Sequence, residues 1–156
     1  MDVKNVAPFM AAFNVVMPLL GLKNVSKSDL QAKGKTFKGS GIIIIVGMVG
    51  DLKGNVVYVI EKEHATKLAS FMTDNATNSL DEMAKSALGE LTNMITAHAA
   101  TAFSAMNVFM KISTPICIEG DEIDITMNAE KVICLPMLVG DSVIDVNISF
   151  ENICAT

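Results

Sequence analysis

The feature that most constrains this chain is a helical period sustained over residues 80–106, LDEMAKSALGELTNMITAHAATAFSAM. Leu80, Ala84, Ala87, Leu88, Leu91, Ile95, Ala99, Ala102 and Met106 recur at intervals of three and four, the spacing that gathers apolar side chains on one face of a 3.6-residue helix. That face belongs to a core. Ser79 is a good N-cap residue, Glu82 follows at the distance of a capping box, and Asp81 suits the positive end of the helix dipole. The helix is therefore expected to begin near Ser79.

At about 100° per residue, Glu82, Ser86, Gly89, Glu90, Asn93, Ala97 and Ala100 collect on another face of the same helix. Polar side chains stand there on a bed of small ones. A glycine inside a helix costs about 1 kcal/mol relative to alanine, and close approach of a second surface would account for Gly89 beside Glu90. An E-x-x-N pair is also what an ordinary solvated helix face carries, so the tetrapeptide gains weight only from its surroundings.

The length of 156 residues predicts one domain, 1–156, with a single substantial core. The most continuous apolar run, residues 42–49, contains Gly47 and is far shorter than a bilayer span. The opening MDVKNVAPF has no secretory pattern. A cytoplasmic protein with no membrane partner is expected. Cys117, Cys134 and Cys154 are widely spaced in strand-like sequence, with no C-x-x-C; they read as reduced, buried small hydrophobes. All 12 basic residues are lysine and the net charge is −5. Without arginine the chain lacks the planar forks that read phosphate and guanine, which argues against nucleic acid. Residues 63–156 carry 4 lysines against 13 acids, so a partner with an exposed positive group is favoured on that half.

Residues 6–20 read as a first helix, with Pro18 limiting its last turn and Gly21 ending it. The lysine-rich stretch 25–37 reads as an irregular edge strand and loop. Residues 42–49 form an all-apolar, β-branched run expected to be a strand buried on both faces, joined through GDLKG to a second strand at 55–60 as a hairpin. A short helix follows at 63–72 and a polar connector at 74–78. After the long helix, strands are expected at 111–119, 122–127, 131–138 and 142–151, separated by EGD, NAE and GD turn signals. The last alternates, with Ile144, Val146, Ile148 and Phe150 inward and Asp145, Asn147, Ser149 and Glu151 outward on a solvated sheet face. The fold class is α+β: a mostly antiparallel sheet with helices packed on one face and a long central helix carrying E-x-x-N.

Other constellations fail. GDLKG lacks the Walker spacing and the hydroxyl residue after lysine. His64 opens a surface helix, where solvation is expected, and His98 falls in the apolar stripe as a core or helix-contact residue. Neither has metal-ligand spacing with another strong ligand, so no metal site is assigned. No serine sits in a nucleophile elbow, and Asp121, Glu122 and Asp124 are too short a run for a calcium loop.

Residues 80–101, LDEMAKSALGELTNMITAHAAT, together with GDLKGNVVYVI at 50–60 and VAPFMAAFNVVMPLLGLKNV at 6–25, resemble the CheX branch of the CheC, CheX and FliY chemotaxis phosphatases. The resemblance implies removal of the phosphoryl group from a phosphorylated receiver domain of the CheY type. Members with two sites repeat E-x-x-N on the N-terminal helix; here that helix offers Ala11 and Asn14 without the acid, which implies one site per chain. The resemblance also implies a homodimer joined through sheet edges, with residues 25–37 and the C-terminal strands as candidate edges.

In this frame Asn93 orients the attacking water and Glu90 pairs with the receiver's lysine, while Ser86, Gly89 and Ala97 let the partner come close. The receiver brings the Mg²⁺, so no cofactor of the chain's own is expected. Thr92 and His98 stand where the family often has glycine and asparagine, and both lie off the Glu90–Asn93 face. The same helix supports two other readings: a non-catalytic receiver-binding module, or a structural dimerisation domain whose E-x-x-N is solvated surface.

Overall fold

The computed structural model describes residues 3–74 and 79–151. A 3₁₀ turn, Val3–Asn5, leads into α1, Ala7–Leu19. The strands β1, Val25–Lys27, and β2, Gln31–Lys33, precede the long β3, Thr36–Gly50, and β4, Gly54–Ile60. Then come α2, Lys62–Thr73, and α3, Glu82–Ser104. The last described elements are β5, Met110–Ile112, β6, Ile116–Thr126, β7, Val132–Val139, and β8, Ser142–Phe150. The polar connector expected at 74–78 lies, apart from Asp74, outside the described residues, as does Cys154.

Among the described residues the eight strands form one sheet in the order β1-β7-β8-β4-β3-β5, with β2 also on β7 and β6 also on β3. Every ladder is antiparallel. The β3–β4 hairpin pairs Ile42 with Ile60 and Met48 with Gly54, as its two β-branched runs predict. The lysine-rich stretch supplies β1 and β2 at the sheet's edge against β7.

Alternation along the strands builds two apolar layers. Ile42, Ile44 and Val46 of β3, Val56 and Ile60 of β4, and Ile144, Val146 and Ile148 of β8 join residues of all three helices in the main core. Ile43, Val57, Ile125, Met127 and Val132 form a second cluster on the opposite face, and no described helical residue belongs to it. Residues 42–44 are therefore buried on both faces, but the expectation for 42–49 fails at its end, where the second cluster does not reach and Val49 is exposed. The antiparallel sheet with helices against it is the expected α+β class.

The second cluster corrects the reading of β8. Asn147 and Ser149, expected to face solvent, are buried. Asn147 pairs with Val57 and so shares the face of the second cluster, and the β3–β6 ribbon that contributes to that cluster bends where its register shifts between Gly39 and Gly41. Gly41 has φ +101°, and a Cβ there would collide with the Ile60 carbonyl oxygen, so only glycine fits the bend. The bent ribbon brings Phe37 and Ile125 over the sheet. Asn147 meets its burial with two bonds: Nδ2 donates to Val57 O at 3.1 Å, and Oδ1 accepts from Lys33 Nζ at 3.0 Å. Ser149 Oγ donates to Lys131 O at 3.3 Å.

Two further expectations change. Residues 119–121 are not a turn, because β6 runs unbroken through them along β3. The break falls earlier, at 113–115, where Pro115 has no amide hydrogen for a ladder. His64 is not simply solvated: its Nδ1 accepts the Val143 N–H at 2.6 Å and ties α2 to the start of β8.

Candidate functional site

The site begins with how α3 is held. Its N-cap is Asp81, whose carboxylate accepts the Ala84 N–H at 2.8 Å. This corrects the expected start at Ser79, two residues earlier: a charged acceptor at the positive end of the dipole makes the stronger cap. Leu88, Leu91, Ile95, Ala99 and Phe103 enter the core. Phe103 meets Phe9 of α1 and Phe150 of β8 edge-to-face, with ring centroids 6.2 and 5.8 Å apart.

Between these apolar contacts lies a buried polar chain. Thr92 Oγ1 donates to Gly89 O at 2.9 Å, and Thr96 Oγ1 donates to Thr92 O at 2.7 Å. Tyr58 of β4 lies 2.7 Å from Thr96 Oγ1. The single Thr96 hydroxyl hydrogen is already given to Thr92 O, so the Tyr58 hydroxyl is the donor. Burial pushes the Tyr58 phenol well above its ordinary range, keeping it a protonated donor. The bond joins the apolar contacts that hold the rotation of α3 about its axis.

That rotation turns Ser86, Gly89, Glu90 and Asn93 toward an open cleft of about 770 Å³. The opposite wall is the β5–β6 connection, Ile112 to Pro115, and Cys117. Ser113 anchors this wall: its Oγ accepts the Gly47 N–H at 2.8 Å, and its own N–H donates to Gly47 O at 2.9 Å. Glu90 is exposed and Asn93 half-buried. Among the described residues, neither the Glu90 carboxylate nor the Asn93 carboxamide has a hydrogen-bond or ion-pair partner. A Cβ added at Gly89 would meet nothing within 4 Å, so the floor of the cleft is open to an incoming surface.

Of the five residues singled out by sequence, four line the cleft. Ala97, exposed one helical turn beyond Asn93, does not line it. Sequence reasoning missed Lys85, which lines the cleft with Glu82 and pairs with Glu119 Oε1 of β6 at 2.9 Å. The hydrogen bond to Glu119 raises the Lys85 pKa above the ordinary lysine value. Its i, i+4, i+8 spacing with Gly89 and Asn93 was the available signal. The wall at 113–115 was also missed, although a Ser-Thr-Pro cluster is a loop signal.

Cys117 is exposed, not buried as expected, because among the described residues β6 pairs with β3 alone. Partial burial nonetheless pushes its thiol pKa up, so it is not primed as a thiolate nucleophile. No three His, Cys, Asp or Glu side chains converge as metal ligands among the described residues. The cleft thus offers a carboxylate and a carboxamide, one turn apart on a rigid helix, as a hydrogen-bonding pair for an incoming partner.

Comparison with known proteins follows the same lines. A family model described as chemotaxis phosphatase CheX matches residues 42–138. The CheY-P phosphatase CheX of Thermotoga maritima is 31% identical over 85 residues, 54% of this chain and 55% of that protein. The match thus spans about half the length of that curated relative. The crystal structure of the chemotaxis protein CheX from Desulfovibrio desulfuricans superposes with a TM-score of 0.85 at 24% identity, covering 96% of this chain and 100% of that one. CheX in the CheX–CheY–BeF₃–Mg²⁺ complex of Borrelia burgdorferi gives a TM-score of 0.82 at 23% identity, covering 97% and 100%. These two likenesses establish the shared fold.

Proposed function

The chain belongs to the chemotaxis phosphatase CheX family, and from that premise we propose that it hydrolyses the aspartyl-phosphate of a CheY-type receiver domain, using Glu90 and Asn93. The observation that carries this reading is the pairing of those two side chains on the open cleft, with no partner among the described residues. The Thermotoga relative, a CheY-P phosphatase, and the Borrelia complex of CheX with CheY support the same partner class.

Aspartyl-phosphate hydrolysis asks chiefly for positioning and charge compensation. A water oxygen attacks phosphorus in line, the bond from phosphorus to the aspartate oxygen breaks, and inorganic phosphate leaves. The Asn93 carboxamide oxygen accepts a hydrogen bond from that water, which aims its lone pair at phosphorus. Asn93 need not titrate. Glu90, three residues earlier on the same face, pairs with the receiver's lysine, anchoring the helix and orienting Asn93. Ser86 and the bare Cα of Gly89 allow close approach, with Ala97 extending the small-residue surface beyond the cleft. The receiver's Mg²⁺ offsets the phosphoryl charge, so the chain is expected to need no cofactor of its own.

The family resemblance also suggests a homodimer joined through sheet edges. The free edge of β6, with exposed Ile116 and Ile118, is the candidate seam. Sedimentation of wild type against Ile118→Lys tests it: a dimer that becomes a monomer is expected, and a wild-type monomer at micromolar concentration contradicts it.

The functional reading is tested by measuring receiver binding and dephosphorylation separately. Asn93→Ala is expected to lower the accelerated rate by about 10²-fold or more while binding changes little. Glu90→Ala is expected to weaken both. Dephosphorylation at the wild-type rate in both variants overturns the assignment, and wild-type binding without acceleration replaces it with a docking module.

A further inference from the structure

Lys85 is the one cation among the described residues lining the cleft. It lies on the same helix ridge as Gly89 and Asn93, at successive intervals of four. A rise of 1.5 Å per residue places the Cα atoms of Lys85 and Asn93 about 12 Å apart along the axis, with Gly89 midway. A side chain at Gly89 would occupy that gap, and a Cβ built there meets nothing within 4 Å. The ridge therefore carries an open notch between Lys85 and Asn93, and all three residues line the cleft.

Glu119 holds the ammonium from the facing strand at 2.9 Å, while Glu82 stands at 3.9 Å, beyond hydrogen-bond reach. An ammonium has three donors, so two remain beyond the bond to Glu119. The lysine side chain keeps only 28% of its surface exposed, so most of it is packed between α3 and the facing strand.

We propose that Lys85 is a specificity residue for the phosphorylated partner, its ammonium aimed by Glu119 to donate to the phosphoryl oxygens of the docked receiver. The assignment rests on the receiver-phosphatase reading and adds to it a group that reads the phosphorylation state itself. Glu119 is then a positioning residue. Its hydrogen bond favours the charged form of Lys85, which keeps the donor cationic where the site works. The competing role is a purely structural tie between α3 and β6, which would support both states of the receiver alike.

The test is calorimetric titration of the full chain with a CheY-type receiver from the same genome, unmodified and activated with beryllofluoride and Mg²⁺. Wild type is expected to prefer the activated form. Lys85→Met should weaken that complex about tenfold, the size of one charge-assisted hydrogen bond, with binding to the unmodified receiver changed less than about twofold. Lys85→Arg should recover most of the loss, and Glu119→Gln should give an intermediate one. Equal losses in both receiver states, or none, overturn the assignment while leaving the receiver reading intact. Wild type that binds neither state overturns both.

Discussion

The two faces of α3 treat their polar groups in opposite ways. On the inner face, Thr92, Thr96 and Tyr58 are buried and linked in one chain of hydrogen bonds. On the cleft face, Glu90 and Asn93 have no partner among the described residues. A buried polar group left unsatisfied is costly, so the inner chain belongs to stability and to the rotation of the helix. Half-exposed polar groups can wait on water without that cost, which leaves them available to a partner. The difference teaches where the helix is fixed and where it is free to act.

Substitutions on the two faces should therefore separate stability from function. The largest stability effect is expected from Leu91→Ala in the core, a loss of about 2–5 kcal/mol through lost burial and a residual cavity, measured by urea unfolding. A loss below 1 kcal/mol would mean that the inner face is not the anchor. Next comes Tyr58→Phe, which removes the donor to Thr96 and should cost about 1 kcal/mol. If the helix rotation depends on this bond, phosphatase activity falls with it; activity unchanged by Tyr58→Phe would show that apolar packing alone sets the rotation.

The smallest stability change is the most discriminating. Gly89→Ala places a methyl in open space within a helix, so the protein should gain about 0.5–1 kcal/mol. In the proposed complex the same methyl stands where the receiver approaches, so affinity for the activated receiver should drop. Greater stability with undiminished affinity would remove Gly89 from the docking surface. A loss of stability would show that the glycine serves the fold.

The sequence made the buried side of α3 legible because Leu88, Leu91, Ile95 and Ala99 repeat at helical spacing. It hid Thr92 and Thr96, whose hydroxyls bond back to the preceding turn and so can enter a core that polar residues normally avoid. The alternation of β8 was equally visible, but Asn147 and Ser149 are buried on a face where a second cluster assembles from residues far apart in the chain. Glu119–Asp121 looked like a turn because its composition is polar, yet pairing with β3 carries the strand through it.

The cleft divides in the same way. Glu90, Asn93, Ser86 and Gly89 share a face that helix geometry alone predicts. Lys85 shares their ridge by spacing, but its partner Glu119 and the wall at 113–115 enter through pairing of β5 and β6 with β3, a long-range fact that local spacing does not contain.

The central claim is tested most directly by the lifetime of a phosphorylated CheY-type receiver in Mg²⁺, followed with increasing wild-type protein and with Asn93→Ala of matched thermal stability. Wild type should shorten the lifetime saturably, and the variant should leave it at or near its intrinsic value. A lifetime unaffected by wild type, or shortened equally by Asn93→Ala, would contradict the account.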